Sequence, residues 1–171
     1  MATSRTARNR PLVAWLFVIA GALLLIEFVI TLVFLSANPL LTFLAFGVLT
    51  IAFLFLFLGG AKDTLLRVAF LVAAVGLALI TLAQVIPGLS TVGSVASVLA
   101  LVGTLGSGIL VYLRHHFTRN ADRVFLVTTI AAALLLLNGI RGILPGALTT
   151  ILTVLFAAGL VFTGLLVRRR R

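Results

Sequence analysis

The chain has few of the residues with which proteins carry out covalent or acid–base chemistry. Among its 171 residues there is no cysteine, and Asp and Glu together number three. The absence of cysteine excludes disulfides, thiolate metal sites and thiol catalysis. There is also no Ser-His-Asp set, Gly-rich phosphate loop, pair of carboxylates or cluster of metal ligands, so catalysis has almost nothing to work with. We therefore predict a protein that is not an enzyme and needs no cofactor.

Charged residues of any kind are scarce, at 9%, whereas 63% of the residues are hydrophobic. A soluble domain of this size has too little interior to hold so much apolar surface, but a lipid bilayer can take it. The formal net charge of +10 raises the alternative of nucleic-acid binding. The basic residues, however, occur in short clusters between apolar runs, as they do in membrane proteins. We predict the lipid bilayer, and no nucleic acid, as a partner.

Six apolar runs are each long enough to cross a hydrocarbon core of roughly 30 Å as a helix. Helix-breaking turns such as Asn38-Pro39, Pro87-Gly88 and Pro145-Gly146 separate them. The runs predict an all-α, polytopic membrane protein, with one transmembrane domain over residues 1–171. The predicted spans cover residues 12–36, 40–59, 65–86, 92–113, 124–144 and 147–167.

Side chains near the predicted helix starts can cap the free N–H groups of a first turn. We expect Asn38 to cap the second helix. Pro11 is expected in the first turn of the first helix, where a missing N–H breaks no hydrogen bond. The other expected caps are Asp63 or Thr64 for the third helix, Ser90 or Thr91 for the fourth and Asp122 for the fifth.

The basic residues predict the orientation in the membrane. If the N-terminus is cytoplasmic, twelve of the 13 basic residues lie on or near that side, and Arg141 alone falls towards the other. We therefore predict that both termini are cytoplasmic. The final Arg168, Arg169, Arg170 and Arg171 are expected to fix this topology and to contact anionic lipid headgroups. The predicted location is the plasma (inner) membrane, and the excess of Arg over a single Lys indicates a prokaryotic source.

The chain consists of three consecutive hairpins of similar design that all point the same way. Similar residues follow each outer proline, in Pro39-Leu-Leu-Thr42, Pro87-Gly-Leu-Ser-Thr91 and Pro145-Gly-Ala-Leu-Thr149. With its size and with glycines such as Gly21, Gly76 and Gly164 along the helices, the chain resembles the HdeD family of small six-helix bacterial membrane proteins linked with acid resistance. The resemblance implies a stress-related membrane protein, and it assigns no functional residue.

One carboxylate, Glu27, lies near the middle of the first apolar run. An acidic group at that depth costs roughly 2.5–3.5 kcal/mol on insertion scales, so it should face the other helices and either find a partner or be protonated. Glu27 is therefore either a proton or cation site or a protonated or hydrogen-bonded packing residue.

Three further polar residues, Gln84, Asn138 and Arg141, complete the candidate intramembrane site. Arg141 either reaches the outer headgroups or turns inward to Glu27. Counted from the outer turns, Glu27 is about 12 residues deep, Asn138 about 7 and Arg141 about 4, so Asn138 is the nearer partner at 1.5 Å per residue. Gln84 is expected at a helix interface.

Small residues recur in the fourth and sixth spans at spacings that let helices approach closely. Our first expectation is packing within the bundle, and the alternative is a second copy of the chain or another membrane protein. The residues are Gly93, Ser97, Ala100, Gly103, Thr104, Ser107 and Gly108 in the fourth span and Gly159, Thr163 and Gly164 in the sixth.

His115 and His116 are expected in a basic cytoplasmic loop rather than in a metal site, because adjacent histidines lack metal-ligand spacing.

Three functions remain open at this point. The first is a stress-related or structural membrane protein, and the second is an accessory subunit that packs on a larger membrane complex. The third is a small channel or transporter that uses Glu27. A wet cavity reaching Glu27 would favour the third, whereas a dry, tightly packed bundle would favour the other two.

Overall fold

The computed structural model describes residues 4–34, 38–59, 63–86 and 90–168, and every regular element within these ranges is an α-helix. The helices are α1 (Ser4–Phe34), α2 (Pro39–Leu58), α3 (Thr64–Ala83), α4 (Ser90–Arg114), α5 (Arg119–Arg141) and α6 (Gly146–Arg168). Each contains a stretch of 20 to 24 residues, with a mean hydropathy of 1.9 to 2.8, that is long and apolar enough to cross a membrane. The prediction of an all-α fold with six such helices is confirmed. The chain is a multi-pass membrane protein.

The six helices pack in a closed ring. Each helix lies against the helices before and after it, and α1 closes the ring by packing on α6. Among the described residues no other pair of helices approaches to within 8 Å between Cα atoms, so side chains rather than backbone border the axis of the ring. Short turns join the helices, which makes successive helices antiparallel. We refer to the end where α1, α3 and α5 begin as the basic end, and to the end where they finish as the turn end.

Glycines bring α3 and α4 into close contact. A Cβ atom built on Gly76 would lie 2.6 Å from the Cα of Ala100, and one built on Gly103 would lie 2.5 Å from the Cα of Ala73. Side chains larger than hydrogen are therefore excluded at both glycines while the helices keep this separation. The expectation that the small residues of the fourth span serve packing within the bundle is confirmed at Ala100 and Gly103.

The same arrangement closes the ring between α1 and α6. A Cβ atom on Gly21 would lie 2.6 Å from the carbonyl oxygen of Ala157, and one on Gly164 would overlap the carbonyl oxygen of Ala14. Close backbone approach is how helices gain contact area where lipid removes the hydrophobic drive for association. The small residues of the sixth span also act within the chain.

Two predicted caps are confirmed. The Oδ1 atom of Asn38 accepts a hydrogen bond from the Leu40 N–H at 3.1 Å, and Asp63 Oδ1 accepts one from the Leu65 N–H at 2.9 Å. Asp63 also forms an ion pair with Arg114, whose Nε lies 2.9 Å from Asp63 Oδ2. This pair connects the start of α3 to the end of α4 at the basic end.

The predicted span start at residue 12 agrees with the apolar stretch Pro11–Phe34, but the predicted place of Pro11 in the first helical turn was wrong. Helix α1 begins at Ser4, so Pro11 lies within it rather than in its first turn. A proline inside a helix removes one backbone hydrogen bond, here the bond to the carbonyl of Ala7, but its φ angle remains helical. Residues 4–10, which precede Pro11, can therefore belong to the same helix as the membrane span.

The predicted start and cap of the fifth helix were also wrong. Helix α5 begins at Arg119, five residues before the predicted position 124, and Thr118 is its cap. The Oγ1 atom of Thr118 accepts from the Ala121 N–H at 3.2 Å. Asp122 lies inside the helix, is fully buried, and accepts from the Phe117 N–H at 2.9 Å. The Asp122 carboxylate binds the backbone that precedes the cap. The helix therefore includes residues 119–123, whose polarity had suggested a loop.

Two predicted helix ends lie too far along the chain. Helix α3 ends at Ala83 rather than at 86, because a residue before a proline, here Pro87, disfavours the helical conformation. Helix α5 ends at Arg141 rather than at 144, because Gly142 adopts the left-handed region with φ of 62°. The predicted end at residue 36 and the side chains of Ser90 and Thr91 lie outside what the structure describes. The remaining bounds agree within two residues.

Candidate functional site

A cavity of about 250 Å³ lies inside the ring of helices. All six helices contribute to its wall, which is largely aliphatic and aromatic. The lining residues are Leu24 and Glu27 of α1; Thr42, Phe46, Leu49 and Phe53 of α2; Leu77 of α3; Thr104 of α4; Phe125, Thr128, Thr129, Ala132, Leu135 and Leu136 of α5; and Thr153, Phe156 and Leu160 of α6. We call this space the central cavity.

Phenyl rings close the central cavity towards the basic end. Phe53 and Phe125 are lining residues, and their ring centroids are 6.3 Å apart. Phe17 contacts both rings, at 6.2 and 5.8 Å, and is completely buried. Phe70 packs on Phe53 at 6.1 Å, and Phe117 packs on Phe125 at 5.7 Å. These five phenyl groups form an apolar plug, so the cavity lies on the turn-end side of them.

Glu27 lies on the wall of the central cavity. Its side chain is partly exposed, and within the described part of the chain it forms no hydrogen bond or ion pair. It is seven residues before the end of α1 at Phe34, which is about 10 Å at helical rise. The one carboxylate on the cavity wall therefore faces open space rather than a partner among the described residues.

Asn138 does not pair with Glu27. Its side-chain Oδ1 accepts from the Leu144 N–H at 2.7 Å, and its Nδ2 donates to Thr149 Oγ1 at 3.2 Å. Its backbone carbonyl also accepts from the Gly142 N–H at 2.7 Å. These bonds hold the turn between α5 and α6 in place, which is a structural role at the turn end.

The other two candidate residues also lie away from the central cavity. Arg141 is the last residue of α5, is exposed, and forms no ion pair with Glu27. Gln84 is exposed at the end of α3. Arg168 places its guanidinium 4.7 Å from the centroid of the Trp15 ring, which orients it at the basic end. Arg169, Arg170 and Arg171 lie outside the described residues. Of the four residues proposed as an intramembrane site, the structure brings Glu27 alone to the cavity.

Threonine hydroxyls supply the remaining polar groups of the central cavity. The hydroxyl of Thr104 donates to the Ala100 carbonyl at 2.6 Å, and that of Thr128 donates to the Val124 carbonyl at 2.7 Å. Thr129 donates to Leu126 at 2.9 Å, and Thr153 donates to Thr149 at 2.9 Å. Because each of these hydrogens is used within its own helix, the hydroxyl oxygens are left as acceptors.

Sequence reasoning missed these threonines, apart from counting Thr104 among small packing residues. A signal was present in α5, where Phe125, Thr128, Thr129, Ala132 and Leu136 recur at steps of three and four and so share one helix face. The pattern places them on the inner face of the helix. It does not show that the face borders a cavity, since a packed core gives the same periodicity.

The two histidines lie at the basic end, in the short connection between α4 and α5. His115 adopts a positive φ of 49°, which ends α4, and its Nδ1 lies 3.7 Å from Asp122 Oδ2. The ring of His116 packs on Phe70 and Phe117, with centroid distances of 5.9 and 5.0 Å. In the described ranges no group of three or more His, Cys, Asp or Glu residues is placed to hold a metal ion. The histidines take part in packing and ending helices.

Comparison with family models, with curated proteins and with solved structures finds no match to this chain. The resemblance to the HdeD family therefore stays an expectation from the sequence. The central cavity offers a solute one carboxylate, threonine hydroxyls and a surrounding apolar wall.

Proposed function

We propose that this chain is a small channel or transporter of a prokaryotic plasma membrane, whose central cavity receives a small solute beside Glu27. The observation that carries the proposal is the Glu27 carboxylate, which faces a cavity and has no partner among the described residues. A carboxylate in a membrane span costs roughly 2.5–3.5 kcal/mol, so such residues generally line a path or a binding site.

The size of the cavity supports the same proposal. A space of about 250 Å³ is much larger than the voids that close-packed interiors leave between side chains. Larger side chains at Ala132 and the threonines would fill the space. A wall that leaves it open is expected of a protein that binds something there.

The two other functions draw less support from the geometry. An accessory subunit would present a free face of small residues, but Ala100, Gly103 and Gly108 of α4 face α3 and α5 within the chain. Gly93 alone among the glycines noted in α4 has open space around it. A role in acid resistance rests on the family resemblance alone. Contact between anionic lipid headgroups and the terminal arginines is compatible with any of the three.

Single cysteines test whether solutes enter the cavity, because the natural chain has none to remove. Thr153→Cys places a thiol on the cavity wall, and Ile151→Cys places one on the outer surface of the same helix, where the side chain is 61% exposed. Both variants are reconstituted in nanodiscs and treated with methyl methanethiosulfonate, a small neutral reagent.

We expect Thr153→Cys to react and Ile151→Cys to react far more slowly, because the reagent attacks the thiolate and a lipid-facing thiol does not ionise. The rate in detergent-denatured protein gives the reference for each thiol. A Thr153→Cys thiol that is as unreactive as the lipid-facing control, while both react after denaturation, would refute solute access.

A further inference from the structure

We propose that the solute taken by the central cavity is a small organic cation with a single positive charge, such as a quaternary or protonated amine carrying one ring. The inference rests on the proposed function and specifies its substrate class. It follows from three properties of the wall: its charge, the direction of its hydrogen bonds and its aromatic groups.

The charge of the wall has one sign. Glu27 is the one titratable residue among those that line the cavity, and no Lys, Arg or His accompanies it. A cation that enters beside Glu27 gives the carboxylate the partner that it lacks in the described chain, and in a low-dielectric space the attraction between the two charges is much stronger than in water. An anionic solute would meet repulsion from this charge.

The hydroxyl groups of four threonines on the wall also favour a solute that donates hydrogen bonds. Thr104, Thr128, Thr129 and Thr153 all spend their hydroxyl hydrogens on carbonyls of their own helices. Their oxygens therefore add acceptor character to a wall that already carries a carboxylate. A solute that itself needs donors, such as a carboxylate or phosphate, finds none at these positions.

Four phenyl groups complete the wall, from Phe46, Phe53, Phe125 and Phe156. The faces of aromatic rings attract cations, by about 0.5–2 kcal/mol for each well-placed ring. They also provide the apolar contact that an organic cation needs for its carbon skeleton. A metal ion gains little from such a wall, since it requires several oxygen ligands at short distance.

The volume sets the size of the solute. A cavity of about 150 Å³ holds benzene, so the 250 Å³ available here accommodates one ring with a short ammonium group. The space is much larger than a bare alkali ion and smaller than most drug-sized molecules.

The test compares three probes that each carry one phenyl ring, on the purified protein in nanodiscs, by calorimetry. Benzyltrimethylammonium carries a permanent positive charge, benzyl alcohol is neutral and benzoate is negative. We expect the cation to bind at least about tenfold more tightly than the alcohol, which corresponds to about 1.4 kcal/mol, and benzoate not to bind. Equal binding of the cation and the alcohol would overturn the proposal.

Variants at Glu27 and Phe156 show which groups hold the cation. Glu27→Gln should lower the affinity for benzyltrimethylammonium at least about tenfold, whereas Glu27→Asp should retain most of it because the charge is kept. Phe156→Leu should weaken cation binding by a few fold and leave benzyl alcohol almost unchanged. Cation affinity that is the same in the Gln variant and in the natural chain would overturn the assignment.

Protection of a cysteine locates the bound cation and separates the two proposals. Benzyltrimethylammonium should slow the reaction of Thr153→Cys with methyl methanethiosulfonate, because both compete for the same cavity. If the thiol reacts but no cation binds or protects it, the solute class is wrong while solute access stands. If the thiol never reacts, the proposed function itself has failed.

Discussion

Gly103→Ala is expected to destabilise the bundle, whereas Gly93→Ala on the same helix is not. A Cβ atom on Gly103 would lie 2.5 Å from the Cα of Ala73, but one on Gly93 would meet no heavy atom within 4 Å. Carbon atoms pack at about 3.5–4.0 Å, so α3 must retreat by about 1 Å to admit the methyl group at residue 103.

The magnitude follows from two effects. Replacing glycine by alanine inside a helix gains about 1 kcal/mol of helix propensity at either position, so this gain cancels in the comparison. Overpacking costs about 1–3 kcal/mol and applies at Gly103 alone. We therefore expect the free energy of unfolding of Gly103→Ala to lie about 1–3 kcal/mol below that of Gly93→Ala.

Reversible unfolding by sodium dodecyl sulfate in mixed micelles, followed by circular dichroism, measures this difference. Adding Ala73→Gly to Gly103→Ala should not restore stability, because the atoms met by the new methyl group belong to the backbone of residue 73. Equal free energies of unfolding for the Gly93 and Gly103 variants would refute the reasoning, since close approach of α3 and α4 would then contribute nothing.

Three further predictions concern the two ends of the bundle. Asn138→Ala should lower the free energy of unfolding by about 1–3 kcal/mol, because the N–H of residue 144 loses its acceptor, and it should leave cation binding unchanged. Asp63→Ala should cost about 1 kcal/mol in chemical denaturation, and Asp63→Ser should restore most of that, because the cap contributes more than the exposed ion pair with Arg114. In sealed vesicles an impermeant thiol reagent should reach Ile143→Cys and Arg119→Cys from opposite sides, and labelling from one side would contradict the predicted topology.

The fold class could be predicted from the sequence because lipid imposes a simple requirement. Every backbone polar group in the hydrocarbon core must be satisfied within the span, so long apolar runs become helices and turns fall where Pro, Gly and Asn occur. Asn38 and Asp63 were recognised as caps because their bonds join residues two apart in the chain. Such local interactions depend on neighbours that the sequence itself displays.

The errors arose where the direction and burial of a side chain, which the sequence does not display, decide its role. Asp122 looked like a loop residue and a cap, but its burial against Phe117 draws the start of α5 five residues back. Asn138 looked like a partner for Glu27 at a similar depth, but the two side chains face different surroundings, and Asn138 holds its own turn. The depth of a residue along its span can be predicted from the sequence. The direction in which its side chain faces depends instead on which helices are its neighbours.

The sequence by itself determined that this is a six-helix membrane protein and that Glu27 is an acid deep within the first span. Only the tertiary structure decided that the helices close into a ring, that Glu27 faces a cavity and that five threonines face it too. The physical reason is that a cavity belongs to no single helix. It is the space left between side chains from six helices, and its volume depends on packing distances that glycines such as Gly76 and Gly103 set between helices.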